Sequence, residues 1–246
     1  MDYNKYHAEI ANSYLDVALK EVLVVGCNRG KDVRYFIDFG AQTVCGVDVI
    51  DDIGSEYAHE NVEYHKISVE GLSFQDNLFD LVYCFATMEH VPNIQRGFSE
   101  MVRVTKPGGV IYCVASPLWN SRQGHHYSHV FDIQKYPWLH LRMNKEEIKQ
   151  GCHNGTIEYP RHMTNINSNI DYMMDAKNFN FSFAKEYIDI CNQFLNVDII
   201  RNDLDSEPEE CLDYLSEDKL DKLMQKGLDS TELLALTHTF IATKKD

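Results

Sequence analysis

Three groups of residues carry reactive side chains at informative spacing. The first is the loop Val25-Gly26-Cys27-Asn28-Arg29-Gly30, followed about 20 residues later by Asp48. Glycines at 26 and 30 let a ligand approach the backbone closely, and the N–H groups that open the next helix attract a carboxylate or phosphate. Taken alone, the loop serves equally well as a tight turn, and Asp48 as a helix N-cap. Together they place an acid where ribose hydroxyls donate to it. The second group is His90, His125 and His126. Imidazole has the basicity of a general base near neutrality, although His90 serves equally as a strand-end cap. The third overlaps the second: Glu89, His90, His125 and His126 form a conceivable divalent-metal set. Metal is the less favoured reading, because adjacent histidines often bind substrate instead.

These residues need elements to hold them. Residues 4–18 read as a helix, Val22 to Val25 as a strand buried on both faces, and a helix follows through Val33, Phe36 and Ile37. Further strands are expected at Thr43 to Val47, Val62 to Ile67, Phe79 to Phe85 and Val110 to Val114. An amphipathic helix is expected at 94–104, and a turn at Lys106-Pro107-Gly108-Gly109. A helix near 182–195, a strand at Val197 to Ile200, an acidic helical stretch around 207–226 and a strand at Leu234 to Ala242 complete the pattern. Strand–helix alternation predicts an α/β, doubly wound, mostly parallel seven-stranded sheet of Rossmann-like type, with the late strands antiparallel at its edge. Ligands on such sheets bind outside the carboxyl ends of the strands. Residues 116–176 break the rhythm, so the expectation is one domain over 1–246 with a substrate cap inserted at 117–177 after the fifth strand.

Composition excludes several classes. The 246 residues hold 23 Lys and Arg against 38 Asp and Glu, a formal charge of −15, which repels phosphate backbones and argues against nucleic-acid binding. No apolar run reaches the roughly 18–20 residues of a membrane span, and the N-terminus lacks the apolar stretch of a signal peptide. Seven scattered Cys without a C-x-x-C pair suit reduced thiols and a cytoplasmic location. Oligomeric state is not legible.

Five motifs resemble one family. The stretch from Val22 to Gly30 and then Val44-Cys45-Gly46-Val47-Asp48 resemble the first two motifs of class I S-adenosylmethionine-dependent methyltransferases. Residues from Glu70 to Val82 resemble the third and fourth. Met88-Glu89-His90-Val91-Pro92-Asn93 resembles the stretch after the fourth strand, and Arg103-Val104-Thr105-Lys106-Pro107-Gly108-Gly109 the turn before the fifth. The order and spacing match over about residues 20–115. By this resemblance the cofactor is S-adenosylmethionine. Gly26, Cys27, Asn28 and Gly30 border its methionine part, Asp48 holds its ribose, Val49 packs on adenine, Ser68 and Val69 flank the adenine edge, and Phe85 lines the pocket floor. His90 then faces the pocket. Three positions depart from the family: Val24 stands where an acid is usual, Asn28 where Gly is usual, and Ser68 where Asp is frequent. Asn tolerates left-handed backbone angles, so the loop shape survives. The spacing G-x-N-x-G, not G-x-G-x-x-G, disfavours a nicotinamide dinucleotide.

The expected cap is rich in histidine: positions 125, 126, 129, 140, 153 and 162 account for six of the 11. Between 116 and 165 six Lys and Arg face four Asp and Glu, a locally basic segment in an acidic protein. Trp119, Arg122, Tyr127, Arg161 and His162 are the candidate substrate-binding residues, alongside Arg142 and Trp138. The expectation is an enzyme moving a methyl group to a small polar, anionic acceptor, a sugar or phosphorylated metabolite. Transfer to oxygen is favoured, in a cell-surface polysaccharide or natural-product pathway, and no nucleic acid or membrane is involved. A small-molecule N-methyltransferase and a non-catalytic methyltransferase-like partner protein are the alternatives.

Overall fold

The computed structural model describes residues 2–160 and 162–246. Seven strands form one sheet in the order β3-β2-β1-β4-β5-β7-β6: β1 (Glu21–Val25), β2 (Thr43–Asp48), β3 (Val62–Lys66), β4 (Phe79–Phe85), β5 (Thr105–Ala115), β6 (Val197–Ser206) and β7 (Ala235–Lys244). The helices are α1 (Tyr3–Tyr14), α2 (Lys31–Asp38), α3 (Ile94–Val104), α4 (Leu139–Arg142), α5 (Lys145–Asn154), α6 (Ile166–Met173), α7 (Ala184–Cys191), α8 (Glu217–Met224) and α9 (Ser230–Leu234). The chain divides into two compact units. The first holds 1–115, 188–203 and 239–246, and the second holds 116–187 and 204–238.

In the first unit β1 pairs parallel with β2 and β4, β2 with β3, and β4 with β5. Val22, Leu23, Val24 and Val25 are all buried, as their unbroken apolar run requires of a strand covered on both faces. Between Phe85 and Thr105 the chain crosses over through α3, whose buried face includes Ile94, Phe98, Met101 and Val102. Asn93 caps it by accepting from Arg96 N–H at 3.0 Å. The Pro-Gly-Gly segment is a bulge inside β5: Phe79 pairs with Thr105 but Leu81 with Val110.

The late strands reverse direction. Lys245 N–H donates to Asn196 at one end of β7, and Glu207 N–H donates to Leu234 at the other, which makes β6 and β7 antiparallel.

The second unit has cores of its own. Val130, Phe131, Leu139, Ile148, Ile157, Ile170 and Met173 form one cluster, and Trp138 with Leu215, Leu223, Leu228 and Leu233 forms another. The break in rhythm at 116 therefore marks a second unit that also takes in 204–238. Trp138 is the reason. Its indole N–H lies 3.1 Å from both the Asn120 and Leu233 carbonyls, so distant segments close around one ring. Buried Glu232 ties two segments to its own: it accepts from Asn120 Nδ2 at 2.8 Å and from Ala184 N–H.

Candidate functional site

The loop between β1 and α2 is shaped by three positive-φ residues: Gly26 (72°), Asn28 (49°) and Gly30 (103°). Gly26 and Gly30 have additional steric reasons to be glycine. A Cβ on Gly26 would lie 1.9 Å from Thr87 Oγ1, and one on Gly30 would lie 2.3 Å from Tyr64 Oη. Asn28 adopts the left-handed region as expected of asparagine. Gly26 and Cys27 N–H both donate to Val47 O, at 2.8 and 3.1 Å, which locks this loop to the tip of β2.

Asp48 ends β2 and organises the crevice. Its Oδ2 accepts from Asn28 N–H at 2.8 Å, and its Oδ1 from Val49 N–H at 2.7 Å and Ile50 N–H at 3.3 Å. Three of roughly four acceptor positions on the carboxylate are thereby used to fix its orientation, leaving one on the Asn28 side. Val49 is 63% exposed beside it, an apolar side chain uncovered at the sheet edge. Cys27 is buried, and burial, helped by Asp48, pushes its thiol up to about 12. It is therefore a packing residue of the loop and not a nucleophile.

Ser68 caps the short turn Val69–Gly71. Its Oγ accepts from Glu70 N–H at 3.2 Å and donates to Glu70 Oε2 at 3.1 Å, while Glu70 Oε1 accepts from Asn93 N–H at 3.0 Å. Val69 is buried and Ser68 half-buried. Phe85 ends β4, and the His7 ring of α1 stacks on it at 4.2 Å while its Nδ1 lies 2.7 Å from Tyr112 Oη. Asp2 fastens α1 to α2, accepting from Lys31 Nζ at 3.0 Å and from Tyr35 Oη at 2.8 Å. These two bonds hold Asp2 well below the usual carboxylate range.

Asp32 and Thr87 escaped sequence reasoning. Asp32, in the first turn of α2, is 5% exposed, and its Oδ1 has no hydrogen-bond partner among the described residues. Burial raises its pKa to about 6, with Asn4 and Lys31 pulling the other way. Its signal was an acid two residues past Gly30, in a helical turn with an apolar face. His90 lies in the turn Met88–His90 after β4, and its Nε2 is 4.0 Å from Glu89 Oε1. Thr87, which faces Gly26, opens this turn.

The other candidates lie in the second unit. His125 is fully buried. Its Nδ1 accepts from Tyr127 N–H at 2.9 Å, so its one lone pair is spent; burial, then His126 and His129, lower it to about 4. It is thus a structural histidine, which removes it from the candidate bases and metal ligands. His126 Nδ1 instead donates to Gly124 O at 2.8 Å, making Nε2 the basic nitrogen. Trp119 is buried against His140, Phe179 and Phe181 and closes an aromatic core. Arg122 is held by Glu207, with Nη2 donating to Oε1 at 2.6 Å and Nε to Oε2 at 3.3 Å, so its charge is neutralised internally. Its Nη1 is buried without a hydrogen-bond partner among the described residues. Tyr127 stacks on His129 at 5.5 Å, and His162 is exposed. Arg161 lies outside the described residues.

Residues 23–113 match the family described as "Methyltransferase domain". These residues are a class I S-adenosylmethionine-dependent methyltransferase domain. The match covers the loop, Asp48 and His90 and stops at the end of β5. Over 98 residues the chain is 36% identical to the sterol 24-C-methyltransferase of Aspergillus fumigatus, covering 37% of this chain and 26% of that one. Over 118 residues it is 34% identical to the ubiquinone biosynthesis O-methyltransferase of Dechloromonas aromatica, covering 45% and 50%. The chain thus spans about a quarter to a half of the length of these curated relatives. An S-adenosylmethionine-dependent methyltransferase of Mesorhizobium loti superposes over 96% of both chains with a TM-score of 0.56 at 13% identity, a likeness of fold. No described helix is long and apolar enough to cross a membrane.

Proposed function

We propose that the protein transfers the methyl group of S-adenosylmethionine to an oxygen of a small polar acceptor. One observation carries the cofactor half: the Asp48 carboxylate is held by three backbone N–H groups at the tip of β2, against the Gly26–Gly30 loop. A ribose diol donates to its remaining acceptor position, adenine rests on exposed Val49, and Ser68 and Val69 border its edge. Asp32 takes the place of the acid that Val24 lacks. Its unpartnered buried oxygen, at the start of α2, accepts from the cofactor's ammonium group. When bound, the cofactor supplies an electrophilic methyl, and the chain contributes position and a proton acceptor. His90, in the turn after β4, is the base that takes the acceptor's proton.

For the acceptor, the sequence assigns Tyr127 and His162 as polar contacts. Arg122 contributes a hydrogen bond through Nη1 and no net charge, because Glu207 neutralises it. A hydroxylated metabolite or sugar, with or without phosphate, suits such a set. The O-methyltransferase among the relatives favours oxygen. Seven free cysteines fit a reducing cytoplasm.

The test is calorimetric titration with S-adenosylhomocysteine, then transfer of labelled methyl to panels of sugar and phosphorylated metabolites. Micromolar binding with label on one hydroxylated class is expected. No binding of the cofactor product refutes the reading, and binding without transfer to any panel member refutes the acceptor class.

A further inference from the structure

The β2–β3 edge of the sheet carries a second cluster of donor atoms, distinct from the crevice. Cys45 of β2 pairs directly with Glu63 of β3, and His65 lies two residues further along β3. Alternation of side chains puts all three on one face, opposite to the face of Val44, Val62 and Tyr64. Cys45 Sγ, a Glu63 carboxylate oxygen and a His65 ring nitrogen lie within 4.8 Å of one another. His65 Nε2 is buried without a hydrogen-bond partner among the described residues, and Glu63 Oε2 is the nearby acid, at 3.4 Å. The imidazole ring meets Phe74 edge-on at 5.3 Å, which restricts its rotation.

We propose that Cys45, Glu63 and His65 form a binding site for a divalent cation of the zinc class. Thiolate, imidazole and carboxylate are the ligand types that zinc takes, and three protein ligands plus one water complete a tetrahedron. Ligand atoms in such a tetrahedron stand roughly 3.3–3.8 Å apart, given zinc–ligand bonds of about 2.0–2.3 Å. The Glu63–His65 pair already has that spacing. The remaining separations, each within 4.8 Å, close by small side-chain rotations, and Glu63 is free to make its own, 76% of its side chain being open to solvent. Binding breaks the Cys45 S–H bond and forms a sulfur–metal bond, with the proton leaving to solvent.

Glu21 and Asp51 are two further acids near these strands, and Asp48, at the end of β2, is held by backbone N–H groups. Glu21 is committed to Lys106 at 2.6 Å and Asp51 to Lys66, so neither competes for the cation. The site is separate from the Glu89–His90 turn and does not depend on methyl transfer. Its consequence is structural: β3 is the outermost strand, and β2 ends three residues past Cys45 on Asp48. A cation bridging the two strands clasps the sheet edge that carries Asp48.

Cobalt(II) titration of the intact chain, made metal-free with a chelator, tests this. One equivalent is expected to produce a thiolate-to-cobalt charge-transfer band, which zinc(II) then bleaches. Zinc is expected to raise the melting temperature. Cys45→Ser removes the band and the zinc-dependent shift. His65→Gln and Glu63→Gln each weaken cobalt binding by at least about tenfold. S-adenosylhomocysteine binding and the far-ultraviolet circular dichroism of Cys45→Ser, both unchanged, show that the variant is folded. A wild type without the band, or a band that survives in Cys45→Ser, overturns the proposal, whatever becomes of the methyltransferase reading.

Discussion

Replacing Asp32 with Asn tests the crevice in two independent ways. Asp32 is 5% exposed, and burial lifts its pKa from 3.8 to about 6. Such a displacement means that the ionised side chain costs about 3 kcal/mol more in the folded chain than in the unfolded one. The sign follows from proton binding. Between about 4 and 6 the folded chain holds this proton and the unfolded chain does not, so stability falls as pH rises through that window. At pH 7.5 the full cost is present, and Asp32→Asn removes it while keeping an oxygen to accept from Asn4. Urea unfolding of the ligand-free protein should show the variant more stable at pH 7.5, by up to about 3 kcal/mol. The advantage should shrink as pH is lowered toward 5. Destabilisation by the substitution, or a difference independent of pH, refutes the buried-carboxylate account.

The ligand supplies the second readout. An ammonium group favours ionised Asp32, so S-adenosylhomocysteine should bind the wild type more weakly as pH drops below about 6. The variant should lose roughly tenfold or more, since a hydrogen bond to a charged partner contributes about 1.5–3 kcal/mol. Methylthioadenosine, which has the ribose and adenine but no amino-acid part, should bind both proteins equally. Equal losses for the two ligands sink the ammonium assignment and leave Asp32 a stability residue alone.

Asp48→Ala should weaken S-adenosylhomocysteine at least about tenfold in calorimetry, because the loop N–H of Asn28 and the ribose both lose their acceptor; unchanged binding removes Asp48 from the site. Gly26→Ala forces a Cβ against Thr87 at positive φ, at a cost of about 2–5 kcal/mol from backbone strain and overpacking together. Adding Thr87→Gly should recover the steric share in urea unfolding, and a lone Gly26→Ala costing under about 1 kcal/mol contradicts the packing. His90→Ala should lower methyl transfer about a hundredfold or more with cofactor affinity intact, and a smaller loss moves the base role elsewhere.

The first unit was legible because its signals are local. Val22 to Val25 is apolar without a break, Asp48 closes the next strand, and 94–104 has a helical period; each landed within a residue or so of its expected place. Side chains that act across the chain were not legible. Asp32 reads as an ordinary acid opening a helix, yet it is buried and shares a hydrogen bond with Asn4 of α1. His7 meets Phe85 and Tyr112 over separations of 78 and 105 residues, for which no spacing rule exists.

The second unit shows the limit from the other side. Its histidines and arginines drew attention as chemistry, yet chemical type does not reveal a lone pair already spent. His125 is occupied by Tyr127 N–H, His140 donates from Nε2 to Trp119 O at 2.7 Å, and Arg122 is engaged by Glu207, 85 residues away. Each of these groups is buried, so each needed a partner to be affordable. A polar-rich segment with its own core must therefore satisfy its polar groups internally before any remain for a ligand. His129 and His162, which are exposed, are where substitutions should change acceptor preference and leave folding intact. Measuring acceptor KM and urea midpoint together for His162→Ala and His125→Ala separates the two kinds. The first should move KM alone. The second should move the midpoint, because it leaves the Tyr127 N–H without its acceptor.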